Sequence, residues 1–119
     1  MKASTVLPQV HSLNLEGDNP HNDFDFDGCT NSPDEYLGAD LRPACCLHDY
    51  EYYRGGNAQS RKRADQRFYR NLRKCDLPRW PARLYYFAVR LHGIKHFNWW
   101  HGRRKDSPLV VFFTRFLSW

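Results

Sequence analysis

The sequence predicts an all-α fold, on three observations. Pro43 fits the first turn of a helix opened by Asp40, and Gly55-Gly56 stops it, giving a helix over about 41–54. Ala64, Phe68 and Leu72 recur every four residues, the spacing of one packed helical face. Pro78 and Pro81 then start a stretch, Ala82 to Ile94, that is apolar on most faces.

The elements follow in order. Residues 1–22 show no helical period and are punctuated by Pro8, Gly17, Asn19 and Pro20, so they read as an irregular or briefly helical arm. Residues 23–40 are acidic and turn-rich, with Gly28, Pro33 and Gly38, and form a loop that other elements must hold in place. After the 41–54 helix, Ser60 can cap a second over about 61–75, whose arginines stay solvated opposite its packed face. In the third helix Arg79, Arg83 and Arg90 form a narrow polar strip, while Tyr85, Tyr86, Phe87 and Leu91 read as core. Residues 96–119 alternate basic and aromatic side chains and end in a hydrophobic dozen without a definable period. All 119 residues are expected in one domain: an arm (1–22), a loop with two helices (23–75), and a third helix with a basic aromatic tail (76–119).

Composition narrows the function. The chain is 41% hydrophobic and 16% aromatic, enough to bury a core, which argues against a disordered tail. Its 18 Lys+Arg and 13 Asp+Glu give a net charge of +5, divided very unevenly. Residues 1–51 hold 2 basic against 10 acidic groups and residues 52–119 hold 16 against 3. Arginines interrupt every apolar stretch, so no segment approaches the roughly 18 apolar residues of a membrane span. Met1-Lys2 leads into Ser, Thr, Pro and Gln, which encodes no secretory signal in this sequence. Four cysteines in a small chain point to disulfides and an oxidising compartment, with metal ligation as the rival reading.

The chemistry concentrates in Cys45-Cys46-Leu47-His48-Asp49-Tyr50-Glu51-Tyr52. On a helix His48 and Tyr52 share a face, while Asp49 points about 100° away, so one stretch can serve two adjacent centres. His48 suits proton abstraction from water, provided a second group orients its far nitrogen. Asp65 is the candidate, because helices joined by the short 55–60 turn run antiparallel and face each other, the plainer alternative being that it pairs with Arg61 or Tyr69 on its own helix. Asp49 is left for a cation, and nearby carboxylates and loop carbonyls favour calcium. Asp23, Asp25 and Asp27-Gly28 mimic the start of an EF-hand loop, but its entering helix would contain Gly17 and Pro20, and Cys29 and Pro33 would sit inside the loop. Asp23 and Asp25 therefore read as solvated charges, and a one-sided loop donating across space to Asp49 fits better. Zinc held by Cys45, Cys46, Cys75 and His48 is the lesser alternative, since adjacent cysteines lack the usual ligand spacing.

Several spaced elements resemble a known family. Asp27-Gly-Cys-Thr-Asn-Ser-Pro-Asp34, then Leu37-Gly38, Pro43-Ala44-Cys45, His48-Asp49-x-x-Tyr52 and Arg63-Ala64-Asp65-x-x-Phe68 look like the small secreted phospholipase A2 of bacterial and fungal type, over about residues 23–75. The resemblance implies a phospholipase A2-like all-α fold and calcium-dependent hydrolysis of the sn-2 ester of glycerophospholipids. It implies His48 as base, Asp65 as its partner and Tyr52 as a supporting hydrogen-bond donor. Asp27 and Asp49 become carboxylate ligands of Ca2+, and Gly28 a backbone-carbonyl ligand. Two disulfides are expected, Cys29–Cys45 and Cys46–Cys75 or the exchanged pairing, the first set being preferred because it would link the two antiparallel helices that carry the site.

A monomeric, secreted enzyme acting on a phospholipid membrane surface, preferably anionic, is the resulting expectation. No stable nucleic-acid partner is expected. The basic aromatic tail, with Phe97, Trp99, Trp100, Arg103, Arg104 and Trp119, suits either membrane contact or plain packing. The alternative function is a non-enzymatic membrane- or nucleic-acid-binding module with an idle lipase site. A complete His48, Asp49, Asp65 and Asp27 set favours the enzyme, since a pure binder has no use for it.

Overall fold

Asp40 and Arg42 stand where the helix predicted over 41–54 begins: the Asp40 carboxylate accepts the Arg42 backbone N–H at 3.1 Å and pairs with its guanidinium at 2.8 Å. In a computed structural model, which describes residues 1–29 and 33–100, this start gives a helix over Arg42–Arg54. Expectations placed on Arg103, Arg104 and Trp119 lie outside the described residues.

In chain order there is a 3₁₀ turn, Ala3–Thr5, then α1 (Leu7–Ser12), a hairpin of β1 (Glu35–Tyr36) and β2 (Ala39–Asp40), α2 (Arg42–Arg54), α3 (Ala58–Lys74), α4 (Arg79–His92) and a closing 3₁₀ turn, Gly93–Lys95. The all-α expectation holds, and the arm is briefly helical. The hairpin was not foreseen: Glu35 pairs with Asp40 and Tyr36 with Ala39, through Leu37 and Gly38, both at positive φ. Two-residue strands are too short to show an alternation in sequence. α3 begins three residues before the expected start, because Asn57 rather than Ser60 is its cap. Asn57 Oδ1 accepts the Ser60 N–H at 2.9 Å while Ser60 Oγ accepts the Asn57 N–H, so the two residues cap each other.

Contacts between α2 and α3 run in opposite senses along the chain. Tyr52 meets Arg61, His48 meets Asp65 and Phe68, and the Cys75 thiol lies by the Ala44 backbone N–H, which makes the helices antiparallel. α4 returns along α3 in the same manner, with Tyr86 beside Tyr69 and Arg90 on Asp65. Leu41 and Leu47, with Phe68, Leu72, Leu77 and Ala82, fill the main core. Phe26 carries the acidic loop into a smaller cluster with Ala3, Val6 and Cys46.

The cysteines correct one expectation. Cys29–Cys45 is bonded, but Cys46 and Cys75 are free and buried, so no disulfide joins the two site-bearing helices. The reason is the 100° step between neighbours on a helix. Cys45 and Cys75 face the main core, whereas Cys46 turns toward Ala3, Val6 and Phe26 on the other side. Helix α4 corrects another. Tyr86 is buried and Tyr85 half-buried, but Phe87 and Leu91 are about half exposed, and with Trp80 and Leu84 they lie on its outer side. No helix among the described residues is long and apolar enough to cross a membrane.

Candidate active site

His48 and Asp65 meet across the α2–α3 seam, where the helices run close enough for side chains 17 residues apart to bond. His48 Nε2 lies 2.7 Å from Asp65 Oδ1, and Tyr52, one turn after His48, donates its hydroxyl to the same oxygen at 2.6 Å. Phe68 stacks on the His48 ring with centroids 4.4 Å apart, and Tyr52 flanks it at 4.3 Å. The imidazole is thus held by two aromatic rings as well as by the carboxylate.

Asp65 is wholly buried, and burial alone would raise its carboxyl. Hydrogen bonding and charge from His48, the Arg61 guanidinium and the Tyr52 hydroxyl outweigh burial and hold the group below the ordinary carboxylate range. It is therefore an anion and only accepts. Nε2 of His48 must carry a hydrogen, and in the neutral imidazole the lone pair is then on Nδ1. Burial, then the Asp65 charge, pushes Tyr52 well above the usual phenol value, so it stays a donor.

His48 also lines a cleft of about 690 Å³, between α2, the closing part of α4 and the loop around residues 24–29. Asp27, Gly28 and Asp49 line the same cleft. The Asp49 carboxyl is pushed up to about 6, first by burial and further by the neighbouring Asp27 carboxylate, although His48 and the Asp27 backbone N–H draw it down. The loop is shaped by Asp34, whose Oδ1 accepts the Cys29 N–H at 2.9 Å and whose backbone carbonyl accepts the Leu41 N–H at 2.8 Å. Gly28 has φ +69°, and a Cβ there would come within 2.7 Å of Asp34 Oδ1. The position requires glycine twice over, for its backbone and for its space.

Among the described residues no three His, Cys, Asp or Glu side chains converge into a metal cluster. The two acids nevertheless fit a hard cation. Asp49 is largely buried beside a second carboxylate, and no ion pair with Lys or Arg involves either acid among the described residues. Oxygen donors from two carboxylates and a loop carbonyl are what calcium takes.

All six residues singled out by the sequence therefore sit on one cleft or directly behind it: His48, Tyr52, Asp27, Gly28 and Asp49 line it, with Asp65 behind His48. Asp23 and Asp25 are exposed, and Asp25 pairs with the Met1 ammonium at 3.3 Å and with Lys2. Phe97 is buried against Tyr52, and Trp99 packs on Phe97 with its indole N–H on the Ile94 carbonyl at 2.9 Å, whereas Trp100 is exposed.

One residue escaped the sequence reading: Arg90, placed in the polar strip, is completely buried and reaches Asp65 Oδ2 at 2.7 Å. Arg61, weighed only as a plain partner of Asp65 on its own helix, is also completely buried and lies 3.4 Å from the same oxygen. A signal existed. Arg90 continues the row Ala82, Tyr86, one helical turn apart, and that row faces the core, so an arginine there demands a buried counter-charge.

Comparison with known proteins gives two matches. Residues 36–89 match the family model DUF1353, described as a protein of unknown function. The chain is also 33% identical over 95 residues to a secretory phospholipase A2 of Arthroderma benhamiae, a span that covers 78% of this chain and 57% of that relative. The chain thus spans little more than half the length of the curated relative. No solved structure matches.

Proposed function

We propose that the chain is a calcium-dependent phospholipase A2, which hydrolyses the sn-2 ester of glycerophospholipids to a fatty acid and a lysophospholipid. The observation that carries this reading is the common cleft: an imidazole oriented by Asp65 opens onto the same space as a pair of carboxylates with which no Lys or Arg pairs among the described residues. The name of the Arthroderma benhamiae relative supports the class of reaction.

Asp65 and Tyr52 fix the imidazole so that Nδ1 takes a proton from a water in the cleft. The water oxygen adds to the ester carbonyl, and collapse of the tetrahedral species expels the sn-2 alkoxide of the lysolipid. His48 returns the proton to that leaving oxygen. Asp65 remains an anion throughout, offsetting the imidazolium while it lasts. Asp49, Asp27 and the Gly28 carbonyl would hold calcium, which when bound supplies a positive centre for the developing oxyanion and the lipid phosphate.

The substrate places the protein at a phospholipid surface, and the outer face of α4 supports this. Trp80 and Leu84 are 64% and 57% exposed, and the exposed cations Arg79, Arg83 and Lys95 lie in residues 77–100, which hold no acid, a composition suited to anionic lipid. Secretion accords with the disulfide and with the relative's name.

Fatty-acid release from phospholipid vesicles, with calcium and with a chelator, tests the reading. Release that requires calcium and is lost in His48→Asn supports it. Release unaffected by His48→Asn overturns it. Calorimetric titration of calcium into Asp49→Lys should find no binding, because an ammonium replaces a ligand, and unchanged affinity would remove Asp49 from the metal centre.

A further inference from the structure

Asp65 is one carboxylate held between two buried cations. Oδ1 serves His48 and Tyr52, while Oδ2 accepts from Arg90 Nη1 at 2.7 Å and faces Arg61 Nη1 at 3.4 Å. Both guanidinium-bearing side chains are as fully enclosed as the acid itself. Burying a guanidinium is costly, and among the described residues Asp65 is the acid that both guanidinium groups reach. A carboxylate that served packing alone would need neither.

The remaining donors show where the second charge is used. Arg61 Nη1 also donates to the Tyr52 hydroxyl at 3.2 Å and to the Val89 carbonyl at 3.1 Å, and Nη2 donates to the Arg90 carbonyl at 3.3 Å. These carbonyls belong to the last turn of α4, the negative end of its dipole. Val89, His92 and Gly93 from that turn and its continuation form one wall of the cleft. Arg61 therefore ties the wall to Tyr52 and Asp65 directly. Gly93 permits the close approach, since a Cβ there would lie 2.5 Å from the Tyr52 hydroxyl and 3.1 Å from Arg61 Nη1.

Resting on the hydrolytic reading above, we infer that Arg90 and Arg61 are positioning residues for the reaction. Arg90 pins Oδ2 so that Oδ1 keeps its aim at His48 Nε2, and Arg61 locks the cleft wall to the same acid. Neither touches substrate. Their joint effect is to hold the imidazole in the tautomer whose Nδ1 faces the cleft.

The test pairs kinetics with a readout that needs no turnover. Nitrogen-15 NMR of the wild-type imidazole should show His48 with Nε2 protonated and Nδ1 bare, and its Nε2–H proton shifted far downfield by Asp65. Arg90→Met should lower kcat by roughly 10- to 100-fold with KM within about two-fold, and should move or broaden that proton signal. Arg90→Lys should restore part of both. Arg63→Met, at an exposed arginine of α3, should change neither. A folded Arg90→Met protein with an unmoved Nε2–H signal overturns the inference, as does a wild-type His48 carrying its hydrogen on Nδ1. The second measurement stands even where Arg90→Met does not fold. If wild type releases no fatty acid, the hydrolytic reading fails, and a signal displaced in Arg90→Met still upholds the positioning of His48 by Arg90.

Discussion

The Asp34 carboxylate lies across the loop from Gly28 and accepts the Cys29 N–H at 2.9 Å, so a side chain that never reaches the cleft sets the curvature of the segment that lines it.

Gly28→Ala tests that relationship. The left-handed backbone costs a non-glycine residue about 1–2 kcal/mol, and the new methyl would meet Asp34 Oδ1 at 2.7 Å. The expected outcome is a lower melting temperature and weaker calcium binding together. Combining it with Asp34→Ala, which vacates the space, should recover only the steric part. Equal stability of Gly28→Ala and wild type would mean that the loop has another conformation.

The cysteines are predicted to react in two classes. Burial pushes the Cys46 thiol up to about 12 and the Cys75 thiol up to about 11, so neither is a thiolate at neutral pH. A thiol reagent should find no reactive group in the folded chain, two in denaturant, and four after reduction. Reduction of Cys29–Cys45, whose partners are 16 residues apart, should cost about 3 kcal/mol on the loop-entropy model. Four thiols in denaturant before any reduction would disprove the bond.

Acid should unfold the protein for a definable reason. Asp65 and Glu16 are held below their ordinary values of 3.8 and 4.5 in the folded chain, Asp65 by the balance of contacts described above and Glu16 chiefly by its hydrogen bonds to Arg70. The unfolded chain thus binds these protons more readily. The stability they contribute is fully present above the ordinary values and is lost as pH falls through the folded ones. Melting temperatures should fall steeply only below pH 4.5 in wild type, the raised Asp49 carboxyl acting in the opposite sense near pH 6, and should fall less steeply in Glu16→Gln. Parallel curves would remove Glu16 from the account.

The outer face of α4 gives a prediction at the membrane. If Trp80 and Leu84 each contribute about 1 kcal/mol on entering lipid, replacing both with serine should weaken binding to anionic vesicles by roughly 30-fold. Salt near 1 M, where the Debye length is about 3 Å, should remove the electrostatic share and leave the apolar share. Sedimentation with vesicles measures both. Undiminished binding of the double variant would show that this face does not contact lipid.

How much was legible in the sequence follows from the range of the interactions. The three main helices were readable because Pro43, Gly55-Gly56 and the Ala64, Phe68, Leu72 row are local signals. The spacing of His48, Tyr52 and Asp65 was readable for the same reason, since two helices joined by a tight turn leave few ways to face each other. The pairing of Cys46 was not, because it depended on which side of α2 the N-terminal arm would cover, a contact made across some forty residues. Arg90 was misread because a polar side chain on an apolar helix looks solvated until its counter-charge, on another helix, is known.

The closeness of Gly93 to Tyr52 and Arg61 carries a consequence for how such a sequence tolerates change. This residue has no side chain and takes no part in proton transfer, yet any substitution there must drive the end of α4 away from the hydroxyl and the guanidinium together. Among random variants of the chain, those at position 93 should therefore be purged as strictly as those at His48, and for want of room rather than want of chemistry.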